Sequence, residues 1–456
     1  MNSLYERLFK NQREYKVRLN VEKYKTKIIK ENEKAYKSNY LYKILIIFLI
    51  YMILSQYIDS RTIKVAFYYY KIKYGGIERV LALLLNILSE EKSFTLYLIT
   101  EFGILDGEYP IPNNIKRIFL SEEKISLYNA IRREHIDIFL YNSYEADIIK
   151  KLHRLKNTKI ITCNHSSYFL WIYFGKYTFK DSIYNIYKDC KYVISLIPFE
   201  NDYLFKIWGI NSFFMDNPLT FDYDAVVPSN LTLNNIVMIG RGNDLFKRYD
   251  IGIKAMKSIV KEIPDSKMYL IVTQSEDLEK LIKTLNLEES VKFTGFQKNI
   301  EIYLQNASLH IFPSISEAYP MVLSETKIYG IPTILCGLDF LALAKGGTVI
   351  IYDDNPDTVA KEAIKILKNE TYRKILGAEA RKSIEKRKNN LIGKRWVKLL
   401  HAIFEGDDKT YRELGKSDIS KEEGEQILKN QLKLIQMRIP KFKNITLEQL
   451  KYYSLL

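Results

Sequence analysis

Phe312-Pro-Ser-Ile-Ser-Glu317-Ala-Tyr-Pro-Met-Val-Leu-Ser-Glu325 is the stretch on which the reading of this chain turns. The apolar run that enters it, Ala307 to Phe312, predicts a buried strand, and Met321 to Tyr329 predicts a helix. Glu317 then falls in the loop beyond the strand's carboxyl end. Glu325 falls about one turn into the helix and faces the same crevice. Open α/β sheets bind ligands in that crevice. A helix start there offers backbone N–H groups and a positive dipole end, which suit a phosphate. The stretch can hold a phosphorylated ligand, with two acids left for its hydroxyls. Spacing alone reads equally well as a solvated loop acid and a surface helix acid.

The chain has 456 residues, of which 47% are hydrophobic, enough for sizeable cores in two or three domains. The net charge of +15 fits nucleic acid, an anionic membrane surface or an anionic small substrate. No basic motif interleaved with aromatics and no zinc-finger spacing supports the first of these. Cys163, Cys190 and Cys336 are odd in number and far apart, which predicts a reducing compartment and no disulfide framework.

Residues 1–61 read as a basic helical arm containing an apolar segment, 40–58, whose centre Ile44 to Leu54 is unbroken. This is at the short edge of a membrane span. It starts too late, and lacks the small-residue site, for a cleavable signal. Membrane contact is expected, either as a span or in the interface, with a buried helix as the alternative. The lysines before the run keep the arm cytosolic. Residues 62–217 alternate strands and helices, beginning with strand Ile63 to Tyr69, the turn Gly75-Gly76 and helix Val80 to Leu88. His165 follows strand Lys159 to Cys163 and so lies on the site face, whereas His135, His153 and His310 read as structural. A polar linker, 218–234, leads to a second alternating unit, 235–404. There strand Asn235 to Ile239 runs into Gly240-Arg241-Gly242 and Lys247. Arginine, bidentate, and lysine, a point charge, suit a diphosphate. The helices to Phe404 are read as closing this second unit, and 405–456 as a helical extension without nameable chemistry. The fold class is α/β, with two facing doubly wound parallel sheets.

Taken in order, Thr62 to Phe404 resembles the retaining glycosyltransferases of family 4, which have the GT-B fold of two facing Rossmann-like domains with a cleft between them. The resemblance rests on Gly75-Gly76, His165, Asn217-Pro218, Ile239-Gly-Arg241 with Lys247, Phe293-Thr-Gly295, Glu317 with Glu325 as an E-x7-E pair, Gly330-Ile-Pro332 and Gly346-Gly347. It implies that Arg241 and Lys247 hold a nucleotide diphosphate, that Gly75 and Gly76 approach it, and that Glu325 binds ribose. It implies that Glu317 contacts the donor sugar and that His165 lies near the anomeric carbon. Gly240, Asn217, Ala318, Tyr319, Pro320, Met321 and Val322 complete the implied substrate-binding set. The implied activity moves a hexose-type sugar from a nucleotide-diphosphate donor to a hydroxyl of a lipid-linked or glycan acceptor, in cell-surface polysaccharide or glycolipid synthesis. It implies no cofactor, no metal and no nucleic acid, and a place at the inner face of the plasma membrane. An epimerase or phosphorylase on the same fold, or a non-catalytic sugar-nucleotide binder, are the alternatives. Ala318 departs from the glycine usual there. Asp222-Tyr-Asp224 mimics a metal-binding motif of a different fold and is read as coincidence.

Overall fold

The computed structural model describes residues 48–49, 62–73, 75–174, 183–242, 244–297, 299–417 and 419–451. The basic arm and the apolar segment 40–58 therefore lie outside the described residues, Phe48 and Leu49 excepted. Among the described residues no helix is long and apolar enough to cross a membrane.

Two parallel sheets organise the chain. The first contains β1 (Ile63–Tyr68), β2 (Phe94–Thr100), β3 (Lys116–Phe119), β4 (Ile138–Tyr141), β5 (Lys159–Asn164), β6 (Tyr192–Ser195) and β7 (Ser212–Phe214), in the order β3-β2-β1-β4-β5-β6-β7. The second contains β8 (Asn235–Ile239), β9 (Lys267–Ile271), β10 (Val291–Phe293), β11 (Leu309–Phe312), β12 (Thr333–Cys336) and β13 (Thr348–Ile351), in the order β10-β9-β8-β11-β12-β13. Near-continuous apolar strands such as Ile-Val-Met-Ile in β8 are buried on both faces, as a parallel sheet under helices requires. Each sheet reverses its winding beside its first strand, between β1 and β4 and between β8 and β11. Those two switch points are where ligand crevices form.

Among the helices packed about the two sheets are α1 (Gly76–Leu88), α2 (Tyr249–Glu262), α3 (Met321–Ile328), α4 (Glu370–Glu385), α5 (Asn389–Glu405) and α6 (Lys421–Arg438). The sequence reading assigns α5 to the second domain, and the structure corrects this. Ile392, Trp396, Leu399, Leu400 and Ile403 share a core with Val65, Phe67, Leu81 and Leu85 of the first sheet and α1. Gly393 makes the approach possible, since a Cβ there would lie 2.6 Å from Ile87 Cγ2. Nothing local to these residues names the surface that covers them. The chain thus crosses from the second domain back to the first at residues 386–389.

The extension after α5 touches both halves. Gly424 of α6 packs on the Tyr203 ring of the first half, where a Cβ would meet ring carbon at 2.5 Å. Buried Gln431 donates to Asp339 Oδ1 of the second half at 2.9 Å. Arg438 donates to both oxygens of Asp354 at 2.7 and 3.0 Å and to the Tyr173 hydroxyl of the first half at 3.1 Å. Asp354 also accepts from Arg248 at 3.1 Å. Phe169 and Phe340 meet across the same seam with ring centroids 4.9 Å apart. The extension is therefore a strap over the joint between the two halves. Arg438→Ala would leave a sheltered carboxylate short of its main partner and should cost about 2–4 kcal/mol of stability. Urea unfolding tests this: a midpoint unchanged from the parent would show that the strap contributes nothing.

Candidate active site

The switch point of the second sheet brings two loops together. The loop after β8 begins at Gly240, whose φ of +156° and closeness to the Tyr249 hydroxyl, 2.5 Å from a Cβ placed there, require glycine. Asp244 caps the 3-10 turn Leu245–Lys247 by accepting from Phe246 N–H at 3.1 Å. The loop after β11 is fastened to it, with Ile315 N–H donating to the Phe246 carbonyl at 2.8 Å. Lys247 Nζ consequently stands 2.5 Å from Glu317 Oε1, with both side chains largely sheltered. It also lies 5.7 Å from the Phe312 ring centroid. Arg241 stays 81% exposed, 3.6 Å from Asp244. Its charge is felt at Tyr69 and Glu78, so it faces the first domain across the cleft.

Glu325 lies in α3, as the sequence reading has it, and is only 1% exposed. Oε1 accepts two bonds, from Arg79 Nη1 of α1 at 2.7 Å and from Thr220 Oγ1 of the linker at 2.8 Å. Arg79 also lies 5.7 Å from the Tyr109 ring centroid. Burial pulls its pKa down, but Glu325 and Tyr109 outweigh that and hold it above the ordinary arginine value. Within the connecting loop Ala318, Tyr319, Pro320 and Met321 are buried and Val322 is partly so. Pro320 caps α3 without any side-chain bond to its N–H groups. Tyr319 donates to Asp216 Oδ1 at 3.4 Å, and Arg387 Nε reaches the same oxygen at 2.6 Å. Asp216 precedes buried Asn217 at the hinge, so the loop and the hinge share one ionic anchor.

From the first domain, Gly75 and Gly76 open α1. A Cβ at Gly75 would overlap the Glu78 carboxylate, while one at Gly76 would meet nothing. Burial raises the Glu78 carboxyl above its usual range, and Lys71 and Arg241 oppose this. His165 sits beyond β5, partly exposed, with Nε2 2.9 Å from Asn142 Oδ1. The Asn142 amide donates to the Tyr68 carbonyl at 3.1 Å, which fixes its oxygen toward the ring. His165 therefore carries its proton on Nε2 and leaves Nδ1 as acceptor. Burial among protein atoms pushes this imidazole down to about 4, so it is neutral at pH 7. Ser167 Oγ meets Ser316 Oγ at 2.5 Å and joins the two domains beside Glu317. His310 is a buried core residue, hydrogen-bonded to Thr333 and Thr326 at 3.3 Å.

Beneath the His165 loop lies fully buried Glu200, in the π-helical turn Glu200–Leu204. It accepts from Asn164 Nδ2 at 2.9 Å and from Tyr168 N–H at 2.5 Å. Burial nevertheless pushes this carboxyl up to about 8, while the two donors pull it down. Asp222 and Asp224 form only a local turn at 3.0 Å, with Lys388 2.7 Å from Asp224. Among the described residues no group of three or more His, Cys, Asp or Glu could hold a metal ion. The sequence reading missed Arg79, Thr220, Asn142, Ser167, Ser316 and Glu200. Arg79 alone left a signal, a cation in the first turn of a helix where the dipole disfavours it. Glu200 binds a proton more tightly folded than unfolded. Its stabilising contribution is full below the unfolded carboxyl value of about 4.3 and is lost as pH rises through about 8. Glu200→Gln should flatten that decline, and melting points recorded from pH 5 to 9 check it; parallel curves for the two proteins would refute it.

Residues 221–383 match the family Glycosyl transferases group 1. An uncharacterized glycosyltransferase of Methanocaldococcus jannaschii is 25% identical over 390 residues, which cover 74% of this chain and 96% of that protein. The amylovoran biosynthesis glycosyltransferase AmsD of Erwinia amylovora is 24% identical over 72% of this chain and 96% of its own length. Among solved structures, Anabaena HepE in complex with UDP and glucose aligns with a TM-score of 0.60 at 14% identity, covering 75% of this chain and all of that one. WaaG, a glycosyltransferase involved in lipopolysaccharide biosynthesis, aligns with a TM-score of 0.56 at 14% identity, covering 74% and 99%. The fold expected from the sequence is therefore the fold found: two Rossmann-like domains in the GT-B arrangement, with residues 221–383 similar to the Glycosyl transferases group 1 family.

Proposed function

We propose that this chain transfers a hexose-type sugar, with retention, from a nucleoside-diphosphate donor to a hydroxyl acceptor in cell-surface glycan assembly. The observation that carries the reading is the Lys247–Glu317 pair at 2.5 Å across the second switch point, with exposed Arg241 on the same loop as Lys247. A sheltered ion pair contributes little net stability, because desolvation offsets most of its Coulomb energy. A cation and an acceptor held at a ligand crevice do have a use there. Lys247 and Arg241 meet the diphosphate, whose charge grows as it departs, and the start of α3, which has no side-chain cap, adds oriented N–H groups. Glu317 accepts from hydroxyls of the sugar, and Glu325 from the ribose. Gly75 and Gly76 let the backbone of the first domain approach the phosphates. Neutral His165 offers its Nδ1 lone pair to a hydroxyl near the anomeric carbon.

In this reading the bond from the anomeric carbon to the diphosphate oxygen breaks. The acceptor oxygen bonds to the same face, and its proton passes to the departing diphosphate. The charge on the leaving group is met by side chains, and no cofactor is invoked. The +15 charge and the apolar segment 40–58 favour a lipid-linked or membrane-bound acceptor at the inner face of the plasma membrane.

Glu317→Ala, Lys247→Ala and Arg241→Ala should each lower kcat/KM for sugar transfer by about a hundredfold or more. Full turnover in all three would rule out this site. Removal of residues 1–60 should move the protein from the membrane to the soluble fraction, and unchanged fractionation would dismiss the membrane assignment.

A further inference from the structure

The group that holds Glu325 comes from the opposite domain, and the transfer chemistry itself makes no use of it. Resting on the reading of Glu325 as the ribose carboxylate, we propose that Arg79 is a cross-domain positioning residue. It pins Oε1 of Glu325, turns Oε2 toward the nucleotide, and makes ribose recognition depend on the two domains standing at this spacing.

Four observations converge on it. Arg79 Nη1 and Thr220 Oγ1 both bond to Oε1, at 2.7 and 2.8 Å, and neither bond falls on Oε2. Two donors on one oxygen fix the rotation of a carboxylate and leave its second oxygen as the remaining acceptor. A carboxylate only 1% exposed also needs a cation nearby to remain charged at low cost. The second domain does not supply that cation: the guanidinium that reaches Glu325 belongs to α1 of the first. Arg79 is itself held, by the Tyr109 ring at 5.7 Å and by an α1 that α5 clamps through Gly393 against Ile87. Finally, Arg79 stands in the first turn of α1, three residues past Gly76, where the helix dipole opposes a positive charge. Its place is explained by what it reaches rather than by its own helix. The linker and the first domain therefore share the task of orienting one acid of the second domain. A domain movement that withdraws α1 would release the acid from its working orientation.

The test uses the full chain and equilibrium binding of uridine, guanosine and adenosine diphosphates, each beside its 2′-deoxy form, by calorimetry. The preference for the ribose form is the readout, because a merely structural tie would not change it. Glu325→Gln should abolish that preference. Arg79→Ala should weaken the best-bound ribonucleotide by about tenfold and bring its affinity close to that of the deoxy form. Arg79→Lys, which keeps the charge, should retain part of the preference. Arg79→Gln serves in place of Arg79→Ala if the latter does not fold. If Glu325→Gln keeps the preference, or if none of the three diphosphates binds the parent, the ribose reading itself falls. If Glu325→Gln loses the preference while Arg79→Ala or Arg79→Gln keeps it, the ribose reading stands and the role assigned to Arg79 is overturned.

Discussion

Lys247 and Glu317 are 70 residues apart and meet at 2.5 Å because β8 and β11 are neighbours in a sheet whose winding reverses between them. Without that reversal the loops after these strands would pass to the same face. With it they splay apart at the strand ends and leave a crevice, and whatever each loop carries is delivered to its rim. The bond from Ile315 N–H to the Phe246 carbonyl, the glycine required at residue 240 and the cap supplied by Asp244 all serve to hold those rims in register. The same geometry in the first sheet brings the Gly75-Gly76 turn to the opposite wall of the cleft, and the next strand along, β5, adds His165 there.

A crevice between two domains is only as well defined as the joint between them. Here the joint is built in several layers. An apolar seam including Phe169 and Phe340 joins the halves. Asp216 at the hinge holds Arg387 and Tyr319, and thereby couples the hinge to the loop that follows Glu317. Helix α5 returns the chain to the first domain, and α6 lies over both. The cross-domain contacts Ser167–Ser316 and Arg79–Glu325 belong to the same joint, but they lie in the cleft itself. Domain spacing and site geometry are therefore one variable in this molecule.

Much of the fold was legible in the chain. Runs such as Asn235 to Ile239 and Leu309 to Phe312, each followed by a glycine or proline turn and a periodic helix, leave few alternatives to a parallel α/β sheet. Lys247, Arg241 and Glu317 are legible as candidates because each lies in a loop past a strand's carboxyl end, and the structure brings Lys247 and Glu317 together. Helix α5 reads in the sequence as closing the second unit, whereas its apolar side packs on the first sheet and α1. An apolar face states that it must be covered, and not by what.

Local periodicity and turn chemistry are enough to give the alternation of strands and helices, the two successive α/β units, and the loops that lie at strand ends. Which loops meet emerges only once the chain is folded. Folding pairs Glu325 with Arg79 and Thr220, sets Glu200 beneath the His165 loop, and lays the extension across both halves. The physical reason is that the interactions that tune a site act between side chains within a few ångströms, whatever their distance along the chain. Burial, which moves the carboxyl of Glu200 to about 8 and the imidazole of His165 to about 4, is a property of everything packed around a residue and of nothing adjacent to it in sequence.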